Sequence, residues 1–340
     1  MAAHDAILEQ LLQSEEPSVR WKARVDVLGE ERSSPAIQSL EQEIRESPRV
    51  RAMLQHVQPN GELILDKGIY AKWQGAQWVL INLADIGYPR GDAALLPIAR
   101  QLLDVWLGEQ FFNEWVVEAK KDVYKRRDAV PLMQGRHRTC ASQQGNTLYV
   151  MLALGLQDER LPQLVERLLY WQWPDGGWNC DKEPSAHKST FIHTLWSMRA
   201  LALYAQQTGD QAAAEAARRA SEIFLKRHFY KRESSGKLIR EEFVKLHYPL
   251  YWHYDILAAL KVFAEIGFTE DPRANDALDL LESKRLPDGG WPAEAKYYKV
   301  SQEIALGNDY VDWGGTSSKT FNPWVTADAL YVLRAFARLQ

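Results

Sequence analysis

The chain has 340 residues, 46% of them hydrophobic, and a net charge of −4 from 41 basic and 45 acidic side chains. That apolar content supports a large core and excludes disorder. The balanced charge, with no basic stripe, excludes a nucleic-acid binder. The N-terminal stretch MAAHDAILEQLLQSEE is acidic and amphipathic, so no signal peptide is expected. No run of about 18 apolar residues offers a membrane span. Two cysteines, Cys140 and Cys180, in a chain this long point to a reducing compartment, and a cytoplasmic location is expected. The 13 Trp and 14 Tyr are in excess, and such side chains either fill cores or wall apolar pockets that stabilise cations.

Residues 4–13 predict a short helix with Ile7, Leu8, Leu11 and Leu12 on one face, and the pattern resumes from Ser18 to Leu28 after Pro17. Ser34-Pro35 and Ser47-Pro48 each read as an N-cap followed by a first helical residue, starting helices over 36–46 and from 48 to about 58. From Tyr70, helical spacing runs through Trp73, Ala76, Gln77, Leu80 and Leu83 until Gly87-Tyr-Pro89 stops it. A second helix is predicted from Ala93 to Gly108. Residues 111–138 are irregular and carry the basic cluster Lys120 to Arg127.

Helical pairs then follow at 145–155 with 161–171, at 189–207 with 211–227, and at 251–266 with 272–286. A single helix over 323–338 closes the series, behind the loop Gly314-Gly-Thr-Ser-Ser318. No strand pattern competes. The plan is a helical hairpin repeated roughly every 50–65 residues, which builds an open solenoid or a closed ring. The first helix of each pair mixes small and aromatic residues on several faces, as in Thr194–Ala202. The second is amphipathic, as in Gln211–Arg219. An inner layer wrapped by an outer one is expected.

A turn punctuates the repeat at Pro174-Asp-Gly-Gly-Trp178 and again at Pro287-Asp-Gly-Gly-Trp291. The first copy, with its leading Gln172-Trp173, resembles the QW-type repeat of the triterpene cyclases and the equivalent repeats of protein prenyltransferase β subunits. The second copy lacks the Gln-Trp pair. Across nearly the whole length, the chain resembles bacterial prenyltransferase- and squalene-cyclase-like proteins. The matching stretches are Pro17-Ser-Val-Arg-Trp21, Trp173–Asp181, His247-Tyr-Pro-Leu-Tyr-Trp-His-Tyr-Asp255 and Leu286–Trp291. This resemblance implies an all-α fold, an α/α toroid over residues 1–340, with residues 1–60 as a helical extension packed on the ring. The sequence has no Asp-x-Asp-Asp run of the class II terpene cyclases and no Asp-rich metal motif of the class I enzymes. Cys180-Asp181 reverses the order of the prenyltransferase zinc ligands.

In such toroids the loops entering the inner helices surround one mouth of a central cavity. Those segments here contribute Trp73 and Gln77; Gln143, Gln144 and Asn146; His187, Lys188 and His193; Tyr251, Trp252, His253 and Asp255; and Asn322, Trp324 and Asp328. Convergent polar groups in an apolar funnel are the usual form of a small-molecule site. His253 and Asp255 are expected to be a proton-transfer pair, Asp255 supplying an acid whose pKa burial would raise. The plainer alternative makes Asp255 a first-turn residue favoured by the helix dipole, with His253 packed beside it. His193, early in an inner helix, is a further catalytic candidate, or a hydrogen-bonded core histidine.

Trp73, Tyr251, Trp252 and Trp324, with Gln77 and Asn146, are expected to bind substrate. Arg136 and Arg138 are candidates for an anionic group on it, since Arg binds such groups bidentately. The run Lys125-Arg126-Arg127 also reads as a solvated loop. Cys140, Cys180, Asp181 and His187, with His137, are a possible zinc set; a disulfide, a reactive thiol pair or two buried thiols are the alternatives. No cofactor is otherwise expected.

The leading functional expectation is a terpene-cyclase-like enzyme using acid–base chemistry on an apolar polyprenyl or polycyclic small molecule. The alternatives are a polysaccharide lyase or glycan-processing toroid using Arg136, His253 and Tyr254, and a non-catalytic binding or scaffolding protein.

Overall fold

The computed structural model describes residues 3–339. Its α-helices follow in order as α1 (Ala3–Leu12), α2 (Pro17–Trp21), α3 (Pro35–Arg45), α4 (Pro48–Leu54), α5 (Ala76–Asp85), α6 (Leu96–Trp106), α7 (Ala141–Ala153), α8 (Leu161–Tyr170), α9 (Phe191–Thr208), α10 (Gln211–Leu225), α11 (Ile256–Glu265), α12 (Asn275–Ser283) and α13 (Pro323–Ala335). The fold class is all-α, built from helical hairpins of the kind that α/α toroids repeat. Among the described residues, no helix is long and apolar enough to cross a membrane.

The chain divides into two compact units. One combines the residues through Asp92 with those from Arg227 onward; the other is Ala93–Lys226. In the first, α11 packs on α13 and α12, and the N-terminal helices lie against α13. In the second, α7 packs on α9, α10 on α9, and α8 on both α7 and α10. Burial separates the two kinds of helix that the sequence distinguishes. Every residue of α5 from Ala76 to Leu83, of α7 from Ala141 to Leu152 and of α11 from Ile256 to Phe263 is buried. In α8, by contrast, only Leu161, Leu164, Val165 and Leu168 are buried, the single stripe of an amphipathic helix with one face on a neighbour.

The Ser-Pro pairs act as expected. Ser34 accepts from the Ile37 amide at 3.4 Å and Ser47 from the Val50 amide at 3.2 Å, each meeting one of the donors that a helix start leaves unpaired. The predicted helix over 18–28 is not uniform: after α2 it widens into a π-helix, Lys22–Val27, in which the Leu28 amide bonds to the Ala23 carbonyl. Two small sheets correct the expectation of no strands. Glu114–Val116 (β1), Val130–Met133 (β2) and Arg136–His137 (β3) form one in the second unit. Lys299–Val300 (β4) and Asn308–Asp309 (β5) form the other in the first unit. None is longer than four residues, too short to leave a period-two signature in sequence.

The two Pro-Asp-Gly-Gly-Trp turns use one bonding scheme. Trp173 N donates to Gly177 O and Gly176 N to Trp173 O; Leu286 N donates to Gly290 O and Gly289 N to Leu286 O. The Trp178 indole donates to Leu168 O at 2.9 Å, and that of Trp291 to Leu281 O at 2.7 Å. Each Trp amide then bonds to a Thr hydroxyl on the next buried helix, Thr194 at 3.2 Å and Thr326 at 2.9 Å. Gln172 ties the first turn to Gly176 O at 2.7 Å and to Ala216 O of α10 at 2.8 Å. In the second copy, which lacks Gln-Trp, Arg285 Nε takes the equivalent bond to Gly289 O at 3.0 Å. The turn is therefore a structural clamp that closes one amphipathic helix and aims the chain at the next buried one.

A buried ionic network joins the two ends of the chain within the first unit. Lys22 Nζ lies 2.8 Å from Asp328 and 3.3 Å from Asp85; Lys261 bonds to Asp85 and lies 3.1 Å from Asp328. Tyr248 adds a hydrogen bond to Asp85 at 2.7 Å. The two ammonium groups hold Asp85 well below the usual carboxylate range, against the opposing effect of burial. Asp328, expected from sequence to face a substrate, is instead a member of this network.

Candidate functional site

The segment His247–Asp255 is not helical, although the apolar spacing predicts a helix from Tyr251. Asp255 ends that helix at its N-cap, its side chain accepting from Ala258 N at 2.7 Å, so α11 starts only at Ile256. The same carboxylate accepts from His247 N at 2.9 Å, and His247 Nδ1 lies 2.6 Å from it. This corrects the expected His253–Asp255 pair. Asp255 is fully buried and committed to a cap and to His247, so it is not available as a proton donor to substrate. A carboxylate acceptor requires the proton on His247 Nδ1, and the other ring nitrogen, Nε2, is buried with no hydrogen-bond partner.

His253 sits instead in an aromatic cluster. Its ring stacks on Tyr297 with centroids 3.8 Å apart and on Trp252 at 5.3 Å, with Trp73 tilted at 5.3 Å and His247 edge-on at 5.8 Å. It is half-buried, and its Nδ1 has no hydrogen-bond partner. Burial, reinforced by His247 and Lys72, pushes its pKa down to about 3, so the imidazole is neutral near pH 7 and has a lone pair to offer.

Trp73 and Tyr251 form the floor of the cluster. Their rings stack at 4.1 Å and 13°, and the Trp73 indole donates to Tyr297 O at 2.7 Å. Tyr251 holds a φ of 45°, a left-handed conformation that a bulky residue adopts at a cost of about 1–3 kcal/mol. What fixes it is buried Asp309 on β5, which accepts from the Tyr251 hydroxyl and, at 2.9 Å, from the Trp313 indole. Burial raises the pKa of Asp309 despite these donors. Lys72 lies 4.3 Å from the Trp252 ring and 5.4 Å from that of Trp73.

Trp324 belongs to a neighbouring group in the same unit. It stacks on Tyr248 at 5.6 Å, meets Trp313 edge-on at 5.5 Å and lies under the guanidinium of Arg49. Its indole points to Ser18 at 3.4 Å, so it anchors the N-terminal helices as core. Gln77 is buried within α5. Tyr254, a candidate under the glycan reading, is buried with its hydroxyl donated to Phe229 O at 2.6 Å, and its pKa is raised well above 10 by burial and Asp255. It cannot serve as an acid or base near neutral pH.

The remaining candidates lie in the second unit. His193, in the first turn of α9, has Nδ1 3.0 Å from Ser142 Oγ and Nε2 3.0 Å from Cys180 Sγ. Burial, helped by Lys182, lowers its pKa to about 4. The neighbouring Cys140 thiol, with burial, pushes the Cys180 thiol well above its ordinary range. His187 is exposed and bonds to Ser185 O, while His137 bonds to Glu114 at 2.6 Å. Asp181 organises its own loop, accepting from Glu183 N at 2.9 Å. Among the described residues, no three His, Cys, Asp or Glu side chains form a group that could hold a metal ion.

Asn146 is buried in α7 with its amide nitrogen unpartnered. Arg138 is fully buried, lies 4.5 Å from the Trp173 ring and donates to Ala186 O at 2.9 Å; Arg136 lies on the same ring at 5.8 Å. The basic run is ion-paired and exposed, with Lys125 on Asp122 and Arg126 on Asp128. The solvated-loop reading describes it.

Sequence reasoning missed His247, Tyr297 and Asp309. His247 carried a signal, since it lies eight residues before Asp255 in the same aromatic run. Tyr297 sits in irregular chain and Asp309 in a two-residue strand, where no periodicity marks them.

No family model matches the chain, and no curated protein matches it. Among solved structures, it is similar to the unsaturated glucuronyl hydrolase of Bacillus sp. GL1, responsible for the degradation of glycosaminoglycan. Identity is 14% and the TM-score 0.43, over 94% of this chain and 84% of that one. It is similar also to a type II terpene cyclase from Scytonema in complex with its product, merosterolic acid A, at 14% identity and a TM-score of 0.43, over 99% and 97% of the two chains. Likeness at this level carries no argument about site or reaction.

Proposed function

We propose that the protein is a terpene-cyclase-like enzyme. It would act on an apolar polyprenyl or polycyclic substrate, with His253 as the proton acceptor. The observation that carries this reading is the neutral, half-buried His253 with an unpartnered Nδ1, walled by Trp73, Trp252 and Tyr297. Ring faces stabilise positive charge developing on carbon. As a C–O bond of the substrate breaks, a nearby neutral imidazole can remove the proton beside the developing charge, leaving an alkene, and pass that proton to the departing oxygen. A base that held its own proton near neutral pH could not do this. The strained Tyr251, fixed by Asp309, keeps the floor of the cluster in one arrangement before substrate arrives.

The test begins with binding. Tryptophan fluorescence of the full-length protein is titrated with a linear polyprenol, squalene and a polyprenyl epoxide. Saturable quenching that Trp252→Ala weakens at least about tenfold is expected, since buried aromatic anchors dominate apolar binding. Quenching by none of the three, or equal quenching in Trp252→Ala, contradicts the reading. The glycan alternative loses a named residue with Tyr254, whose hydroxyl is buried and committed.

A further inference from the structure

Trp173, in the first Pro-Asp-Gly-Gly-Trp turn, has no counterpart in the second copy, where Leu286 stands and makes the same backbone bonds. The turn itself therefore does not require an indole there. That indole donates to His137 O at 2.9 Å, which sets the ring against β3. Arg136 and Arg138 flank His137 on extended chain, where residues two apart fall on the same side, and Arg138 N donates to Pro131 O at 2.9 Å. Both guanidinium groups lie on the Trp173 ring, at 5.8 and 4.5 Å. The loop after Cys180 closes on them: Arg138 Nη2 donates to Ala186 O at 2.9 Å, and the Lys182 ammonium donates to Arg138 O. Helix α7 begins three residues on, at Ala141, and no side chain caps its first turn, so its positive end lies on the same stretch of chain.

Arg138 is fully buried, yet its Nε and Nη1 have no hydrogen-bond partner, and neither has the buried Nε of Arg136. Among the described residues, none of Arg136, Arg138 and Lys182 is ion-paired with a carboxylate. The acidic side chains nearby in sequence are engaged elsewhere: Glu183 with Lys120, Glu114 with His137, and Asp181 with the Glu183 amide. Burial and the adjacent Arg136 push the Arg138 pKa down, and Asp181 offsets them only in part. The buried ammonium groups of the first unit are treated differently, since Lys22 and Lys261 each meet both Asp85 and Asp328. A buried charge without a counter-charge is costly, and its unmet donors call for an acceptor. We infer that Arg136, Arg138 and Lys182, on the Trp173 ring, form a binding site for a phosphate group, free or carried on a larger ligand. Phosphate suits this set better than a carboxylate does. It presents three or more acceptor oxygens to donors on two separate guanidinium planes, and it brings up to about two negative charges to three cations. The site lies within the second unit and does not depend on proton transfer by His253.

The test is isothermal titration calorimetry of the full-length protein in a phosphate-free, low-salt buffer, with inorganic phosphate, glycerol 3-phosphate and, for comparison, acetate. The wild type is expected to bind one phosphate group per chain, at least about tenfold more tightly than acetate, because the phosphate carries more charge and more acceptors. Arg138→Met is expected to weaken that binding at least about tenfold, as when one partner of a buried charge pair is truncated. Lys182→Gln, at a half-buried position, is expected to weaken it about threefold, and it decides the question if Arg138→Met does not fold. Equal affinity for the two phosphates supports a site that reads the bare group; tighter binding of glycerol 3-phosphate supports a site for a larger phosphate ester. No saturable binding of either phosphate, acetate bound as tightly as phosphate, or an affinity unchanged in every folded variant would each overturn the proposal.

Discussion

His253 and His193 are the residues at which burial decides protonation. Both have pKa values below the ordinary 6.5, His253 at about 3 and His193 at about 4, because desolvation disfavours the imidazolium. The unfolded chain takes up these protons as the pH falls through 6.5, and the folded chain does not. Their contribution to stability is therefore complete above about 6.5 and is lost as the pH falls toward 4 and then 3. Urea midpoints measured across that window should fall as the pH falls. His253→Phe, which keeps the ring on Tyr297 but cannot titrate, should flatten the decline. A wild-type midpoint that rises on acidification, or a slope that His253→Phe leaves unchanged, would contradict the assignment of a depressed pKa. The same residue marks the limit of sequence reading at this scale. That His253 lies in an aromatic run near a helix start was legible. That Asp255 serves His247 rather than His253 was not, because two histidines compete for one carboxylate and only the turn between them decides which one it meets.

Among the elements, the Pro-Asp-Gly-Gly-Trp turns carry most of the architectural information, and here the sequence served well. Both copies were visible, and both make the same set of bonds. The substitution of Arg285 for Gln172 in the second copy was not legible. A side chain reaching one turn carbonyl can be replaced by any donor of similar length. Gly176 has a φ of 100°, and a Cβ added there would stand 2.6 Å from Arg219 O. Gly176→Ala should thus destabilise the protein by about 1–3 kcal/mol, from backbone strain and the clash together. Denaturant unfolding measures this, and a loss below about 0.5 kcal/mol, the range of ordinary surface changes, would refute the clamp reading. Helix existence was legible from periodicity and caps, and so were the starts marked by Ser-Pro pairs, whereas the starts of α5 and α11 were not. The stretches before α5 and α11 keep helical apolar spacing while their backbone is irregular, and that irregular backbone carries Trp73, Tyr251 and His253.

At the scale of the molecule, the Lys22–Asp85–Lys261–Asp328 network ties helix α13, near the C-terminus, to the π-helix near the N-terminus. A neutral replacement of one ammonium leaves buried carboxylates with half their compensation. Lys22→Met should cost about 3–5 kcal/mol, the range for breaking a buried ion pair from one side. Thermal unfolding of the full chain reads this as a drop in Tm. An unchanged Tm would mean that the first helices are held by apolar packing alone. Sequence offered a hint in Lys261, a charge inside the otherwise apolar Ile256–Phe263, but no pattern shows which distant carboxylates will answer it. The helical-hairpin plan and its two kinds of helix were readable from the spacing of apolar residues. The pairing of charges some 300 positions apart was not, since it depends on tertiary structure alone.

The central claim is that His253 removes a proton from carbon inside an aromatic wall. It is tested most directly by product analysis of the full-length protein incubated with a linear polyprenol, squalene and a polyprenyl epoxide, comparing wild type with His253→Phe at neutral pH. The account predicts a new alkene from at least one substrate with the wild type. It predicts that His253→Phe, folded and still binding, forms that alkene at least about a hundredfold more slowly, as expected for loss of a general base. Alkene formed equally fast by His253→Phe, or no conversion of any of the three substrates by the wild type, would contradict it.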